Sequence, residues 1–216
     1  MKRLMDIIIA GAALVLLSPL LAILALAIMA TMGRPILFRQ LRPGREGKPF
    51  NIVKFRTMRA PRPGEAAVAS DAVRLTRLGR FMRAASLDEL PELWNVVRGD
   101  MSLVGPRPLL MQYLELYSPE QARRHEVRPG LTGWAQVKGR NALGWSEKFA
   151  LDIWYVENHG LWLDLRILAM TVWQVVARRG ISAEGFATMP EFRGDPPADC
   201  DSAGFRPTGA GPAERE

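Results

Sequence analysis

Residues 4–32 read LMDIIIAGAALVLLSPLLAILALAIMATM, and only Asp6, Ser18 and Thr31 interrupt their apolar character. By composition an apolar run of this length is a membrane segment. A cleaved leader fits less well, because its apolar core would be shorter and no compact small-x-small site precedes a polar mature start. Ser18-Pro19 lies near the middle of the run. Proline lacks an N–H and clashes with the preceding turn, so a bend is expected there. Each arm of about thirteen to fifteen residues is roughly 20 Å long. That falls short of a hydrocarbon core of roughly 30 Å. Lys2 and Arg3 flank one side, and Arg34, Arg39, Arg42 and Arg45 the other. Both flanks prefer the cytoplasm, which suits a hairpin that enters and leaves by one face. A kinked single span is the alternative, since membrane helices tolerate proline. Either topology puts the remainder of the chain in the cytoplasm.

Outward from this segment, the 216 residues have room for one ordinary domain and an appendage. The net charge of +7 suits nucleic acid, an anionic membrane surface or phosphorylated substrates equally. One cysteine, Cys200, excludes an internal disulfide and fits a reducing compartment. With two histidines, His125 and His159, a Cys/His zinc site is disfavoured, and a hard ion such as Mg²⁺ is the better metal candidate.

Pro35–Leu41 and Phe50–Thr57 are two β-type runs around a Pro/Gly-rich cluster at 42–49, the pattern of a β-hairpin. Residues 59–70 read as a surface loop. Helical patterns follow at Val73–Ala84, Leu90–Arg98, Leu109–Tyr117, Pro119–Glu126 and Ser146–Asn158. Leu161–Ala177 is apolar at most positions, with Trp162 and Trp173 towards its ends and Arg178-Arg179 after it. It suits a core helix or one lying in the membrane interface. From Gly194 the Gly/Pro/Ala/Asp-rich tail, which holds Cys200, reads as disordered.

Three clusters carry possible chemistry. In Ser86-Leu87-Asp88-Glu89-Leu90-Pro91-Glu92-Leu93 the structural reading is a capping box from Ser86 to Glu89 at a helix start. The functional reading is a carboxylate pair, one member attacking phosphorus or binding Mg²⁺ and the other moving a proton. Two anions meeting requires nearby cations. In Gly99–Pro108, Pro106 and Pro108 fix the backbone around Arg107, which either grips phosphate or faces solvent from a rigid connector. Arg128-Pro129-Gly130-Leu131-Thr132-Gly133-Trp134, running on to Arg140-Asn141, is a glycine-punctuated loop with basic ends. It matches neither Walker A nor the dinucleotide fingerprint, so it indicates neither ATP nor NAD. Asp152, on a following helix, reads locally as a surface acid.

In this order the blocks closely resemble the monotopic phosphoglycosyl transferases, the initiating bacterial sugar transferases of glycan assembly. The matching segments are Lys2–Pro19, Phe38–Met58 with Lys54-Phe55-Arg56-Thr57-Met58, Ser86–Asn95, Gly99–Pro108, Arg128–Asn141 and Leu151–Val156. No residue departs from the family pattern within these motifs.

The resemblance implies a mostly helical α+β fold: a re-entrant membrane helix pair at 1–33 broken at Ser18-Pro19, a compact cytoplasmic catalytic domain at 34–193 with a small β-hairpin and interfacial amphipathic helices, and a tail at 194–216. It implies an enzyme of the bacterial inner membrane, on its cytoplasmic face. Asp88 would attack the β-phosphorus of a UDP-sugar and release UMP. The sugar-phosphate would then pass to a polyprenyl phosphate, usually undecaprenyl phosphate, with Mg²⁺ required. Glu89 would bind metal or move a proton beside Asp88, and Lys54, Arg83, Arg107, Arg140 and Asp152 would contact phosphate, metal or nucleotide. The chain resembles the short form of the family, whose donors include UDP-N,N′-diacetylbacillosamine. Membrane lipid is an expected partner, nucleic acid is not, and a second copy of the chain is a candidate. Two rival readings are a tethered nucleic-acid or lipid binder without chemistry, and a glycosyltransferase that releases UDP.

Overall fold

The computed structural model describes residues 1–60, 74–139, 143–177, 192 and 194. Two helices open the chain, α1 (Lys2–Leu16) and α2 (Ser18–Met32), bent by 60° at Leu17. Pro19 occupies the first turn of α2, where a missing N–H leaves no helical bond unmade. The Ser18 hydroxyl donates to Val15 O at 2.8 Å, satisfying a carbonyl at the break. Among the described residues no single helix is long and apolar enough to cross a bilayer; this bent pair passes that test only together.

The expected hairpin follows as β1 (Leu37–Pro43) and β2 (Pro49–Phe55), antiparallel, with Leu37 opposite Phe55 and Pro43 opposite Pro49. Both strands sit closer to the turn than their sequence suggests, because Gly44 N donates to Lys48 O at 2.7 Å and closes the loop early. Then come α3 (Arg77–Ala84), α4 (Glu92–Arg98), β3 (Ser102–Val104), α5 (Pro119–Ala122), β4 (Gly130–Thr132), α6 (Trp134–Lys138), α7 (Trp145–Asn158) and α8 (Leu161–Val176). The chain is α+β and mostly helical. The helix expected at Leu109–Tyr117 is a 3-10 turn at Met111–Leu116, and that at Pro119–Glu126 is short α5 plus a 3-10 turn at Arg123–His125.

Sequence reading misses the parallel pair of β3 and β4. Both lie in segments read as connectors, and three residues are too few for an alternating pattern. Glycine permits their contact: a Cβ on Gly105 would lie 2.4 Å from Arg128 O. Gly105 N donates to Thr132 O at 2.9 Å and Gly130 N to Pro106 O at 3.0 Å.

The main core joins Val96, Met101, Val104, Tyr155 and Ile167 to Ala10 of α1. Polar contacts fasten α1 as well. Buried Asp6 accepts from Ser102 Oγ at 2.8 Å and Leu103 N at 3.1 Å. Arg3 donates to Val96 O and Val97 O, two carbonyls in the last turn of α4. Lys2 pairs with buried Asp164 of α8. A second cluster packs Leu24 and Ile28 of α2 against Phe55 and Met82. In α8, Asp164 and Ile167 are buried while Trp162 and Trp173 are 82% and 65% exposed, so one face is core and the other presents tryptophan outward. Arg178-Arg179 and Cys200 lie outside the described residues.

Candidate active site

The acidic cluster sits between α3 and α4. Leu87 packs into the α2 cluster and Leu93 into the main core, so the intervening residues are held from both sides. Leu87–Glu89 forms a 3-10 turn, and Ser86 before it adopts φ 55°, ψ 22°. The capping-box reading is therefore corrected: Ser86 is left-handed and makes no side-chain cap bond. Such a conformation costs a non-glycine residue roughly 1–2 kcal/mol, and strain of this kind gathers at functional sites. Its effect here is to present Asp88 and Glu89 to a cleft of about 680 Å³. That volume lies within the roughly 300–1,000 Å³ of small-ligand sites.

The cleft is strongly basic. Among the described residues nine Lys and Arg side chains line it, against the carboxylates of Asp88, Glu89 and Asp152. Lys54 Nζ lies 2.8 Å from Glu89 Oε1 and 2.9 Å from Glu92 Oε1. The Arg107 guanidinium takes both Glu89 oxygens in a two-pronged grip. Burial would raise the Glu89 carboxyl, but the charges of Arg107 and Lys54 outweigh it and hold Glu89 well below the usual carboxylate range. In turn Glu89 chiefly raises Arg107.

Asp88 differs. Among the described residues no other side chain bonds or ion-pairs with its carboxylate. Burial, then the neighbouring charge of Glu89, raises its pKa; Lys54 and Arg83 counter this only in part. A poorly solvated, unpaired carboxylate is more basic, and a stronger nucleophile, than one in water. Arg83 Nε is itself fixed by Thr57 Oγ1 at 3.1 Å. Gly79 allows this placement, since a Cβ there would lie 1.9 Å from Thr57 O.

Asp152 is no surface acid. It is buried on α7 and paired with Arg124 at 2.6 Å. Burial raises its pKa, and Arg124 pulls the other way. Arg124 also donates to Arg107 O at 2.9 Å, so this pair fixes the backbone that carries Arg107.

The structure thus gathers Lys54, Arg83, Asp88, Glu89, Arg107 and Asp152 around one cleft. Arg140 lies outside the described residues, and Ser18 and Pro19 stand at the helix break, away from the cleft. Sequence reasoning missed Arg42, Glu92, Arg124, Gln136, Trp145 and Lys148. For Arg42 a signal existed. Phe38, Gln40 and Arg42 alternate along β1, and Phe38 stands opposite Lys54, which puts all four on one sheet face. Glu92 follows Glu89 by one helical turn. Arg124, the partner of Asp152, has no local signal.

The sequence profile described as bacterial sugar transferase matches residues 1–178. An uncharacterized sugar transferase of Bacillus subtilis strain 168, EpsL, is 50% identical over 90% of this chain and 96% of its own length. A UDP-glucose:undecaprenyl-phosphate glucose-1-phosphate transferase of Caulobacter vibrioides is 47% identical over 79% of this chain and 68% of its own. A UDP-galactose-lipid carrier transferase of Erwinia amylovora is 40% identical over 83% of this chain, which spans 41% of that protein. The profile runs from α1 through α8 and so takes in every element that walls the cleft; the chain belongs to the bacterial sugar transferase family and is an enzyme, a phosphoglycosyl transferase.

Proposed function

We propose that this protein transfers a sugar 1-phosphate from a UDP-sugar to undecaprenyl phosphate, through a covalent intermediate on Asp88. The observation that carries the proposal is the unpaired Asp88 carboxylate in a cation-lined cleft, beside a Glu89 already neutralised by Lys54 and Arg107. An Asp88 oxygen attacks the β-phosphorus. A phosphorus–oxygen bond to the carboxylate forms, the bond to the bridging oxygen breaks, and its electron pair leaves with UMP. An oxygen of the lipid phosphate then attacks the same phosphorus, and the bond to Asp88 breaks to restore the carboxylate. Lys54, Arg83 and Arg107 offset the charge gathered when anion meets anion.

Mg²⁺ fits this scheme as a minor tenant of the protein. Among the described residues no three His, Cys, Asp or Glu side chains converge to hold a metal. Asp88 together with the donor's diphosphate would hold the ion, the sparse protein ligation Mg²⁺ tolerates. Glu89 would join only by releasing Lys54 or Arg107. The ion would supply charge neutralisation on the diphosphate.

The bent α1–α2 pair enters and leaves the membrane by its cytoplasmic face in this proposal. Support comes from the 60° bend, the apolar side chains it exposes (Ile8, Val15, Leu16, Ile23 and Leu26) and the basic flanks. The exposed face of α8, with Trp162, Leu165, Val172 and Trp173, would rest at headgroup level. An N-terminus labelled only from the periplasm would refute the hairpin.

The first test is nucleotide release by purified protein with undecaprenyl phosphate and Mg²⁺. The donor panel is UDP-glucose, UDP-galactose and UDP-N,N′-diacetylbacillosamine. The first two are the donors in the names of relatives, and the third comes from the sequence resemblance. Wild type should release UMP and Asp88→Asn none, because an amide is a poor nucleophile at phosphorus. UDP as the product, or wild-type rates from folded Asp88→Asn, would sink the covalent scheme. Full activity in EDTA would remove the metal from it.

A further inference from the structure

We infer that Arg42 belongs to a nucleotide end of the cleft, where it holds the phosphate that departs with the nucleoside. The inference rests on the phosphoglycosyl transfer proposed above.

The two ends of the cleft are built differently. At one end, Arg83 rides on α3, whose Leu78 and Met82 pack on Leu24 and Ile28 of α2. This wall is continuous with the apolar helix pair, the side from which a polyprenyl chain would arrive. At the other end stand Trp145 and Phe149, members of an aromatic cluster with Tyr113 and Phe192 that shares no residue with the helix pair. Trp145 stacks on Phe149 with ring centres 5.7 Å apart. Flat aromatic surface beside a basic wall suits a nucleobase and its phosphates. It has no use for an isoprenoid chain that must leave the membrane to reach it.

Arg42 has the chemistry for that phosphate. Three other cations of the cleft already have anions: Lys54 and Arg107 hold Glu89, and Arg124 holds Asp152. Arg42 has none. Its Nη2 donates to Gln40 Oε1 at 2.6 Å, its buried Nε meets no acceptor, and no carboxylate lies within ion-pair distance among the described residues. A guanidinium desolvated without a counter-ion is unfavourable unless a ligand supplies the charge. Tyr113 and Tyr117 of the aromatic cluster stand near Arg42, which puts it at that end of the cleft, and Arg107 is its cationic neighbour. An oxyanion between the two would relieve their repulsion, and negative charge accumulates on the departing nucleotide's phosphate as the bridging bond breaks. Arg83, near Asp88, is left for the phosphoryl group that stays and for the lipid phosphate.

The two half-reactions separate these roles. Without lipid acceptor, labelled UMP should exchange into a UDP-sugar through the charged enzyme. The isolated charged enzyme should discharge to undecaprenyl phosphate without nucleotide. Losing a charge-assisted bond should make Arg42→Ala exchange about tenfold or more slower and require more UMP, with discharge within about twofold of wild type. Arg42→Lys keeps the charge but not the fork, so its exchange should fall less; it also serves if the alanine variant does not fold. Unchanged exchange in both variants, or equal losses in exchange and discharge, would overturn the assignment. A loss confined to discharge would do the same by giving Arg42 to the lipid phosphate. No exchange by wild type would instead refute the covalent scheme on which the inference stands.

Discussion

Replacing Glu92 by glutamine should stabilise this protein, and more so at higher pH. Glu92 is 2% exposed at the start of α4. Its ion-pair partner Lys54, 2.9 Å from Oε1, is shared with Glu89 and does not offset the burial. Burial, and then the charge of Glu89, push the Glu92 carboxyl from an ordinary 4.5 up to about 7. The folded state therefore holds this proton across a window in which the unfolded chain has lost it. Stability falls as pH rises through that window and levels off above the folded value. At about 1.4 kcal/mol per unit, the raised pKa of Glu92 costs about 3 kcal/mol near pH 8 and about 1 kcal/mol near pH 5. Glutamine has nearly the same shape and no proton to lose. The stability gap between Glu92→Gln and wild type should thus widen by about 2 kcal/mol between those pH values, or about 4–8 °C in melting temperature for a chain of this size. Thermal unfolding of both proteins in lipid nanodiscs at the two pH values measures it. A gap that does not change with pH, or a glutamine variant less stable than wild type near pH 8, would refute the account of this buried carboxyl.

Two further perturbations probe the scaffold. Gly79→Ala should destabilise by about 2–4 kcal/mol and slow turnover, because its Cβ would meet Thr57 O at 1.9 Å and push α3, with Arg83, off the end of β2; a melting temperature within a degree or so of wild type would show that the contact relaxes freely. Asp6→Ala removes the acceptor for a buried hydroxyl and a buried backbone N–H, and should cost about 2–4 kcal/mol; Asp6→Asn, which keeps one acceptor, should lose less, and equal losses in unfolding experiments would argue against hydrogen bonding as the cause.

What the sequence discloses depends on how local each determinant is. The break at Ser18-Pro19 is legible because proline acts on its own turn. The hairpin is legible because two β-type runs flank a Pro/Gly-rich turn cluster, all within about twenty residues. β3 and β4 are not, since their pairing depends on Gly105 and Gly130 admitting backbone to backbone across 25 positions of sequence. At Ser86 the local pattern points the wrong way. Serine three residues before glutamate is a sound capping signal, but packing of Leu87 and Leu93 into separate clusters turns Ser86 left-handed and aims both carboxylates at the cleft. Asp88, Glu89 and Asp152 come to light through the order of several motifs, whereas Arg124 and its pairing with Asp152 are a product of tertiary packing with no trace in the neighbourhood of Arg124.

The placement of the cleft against the helix pair follows from where the two arms are tied. Asp6 of α1 is bonded to Ser102 and Leu103. The strand those residues begin runs straight into Gly105-Pro106-Arg107. The C-terminal carbonyls of α2, Met32 O and Gly33 O, accept from Arg56, two residues beyond Lys54. Each arm is thus fastened within a few residues of one of the two cations that grip Glu89. Arg107 and Lys54 therefore take their positions from opposite arms of the bent pair, and Glu89 is held where the two meet. Straightening the bend would move the arms apart and draw at least one cation off Glu89. Glu89 would then lose part of its neutralisation and repel an anion entering the cleft. On this reasoning the bend at Leu17 bears on the cleft as well as on the apolar pair, because each arm is tied beside one of the two cations that converge on Glu89.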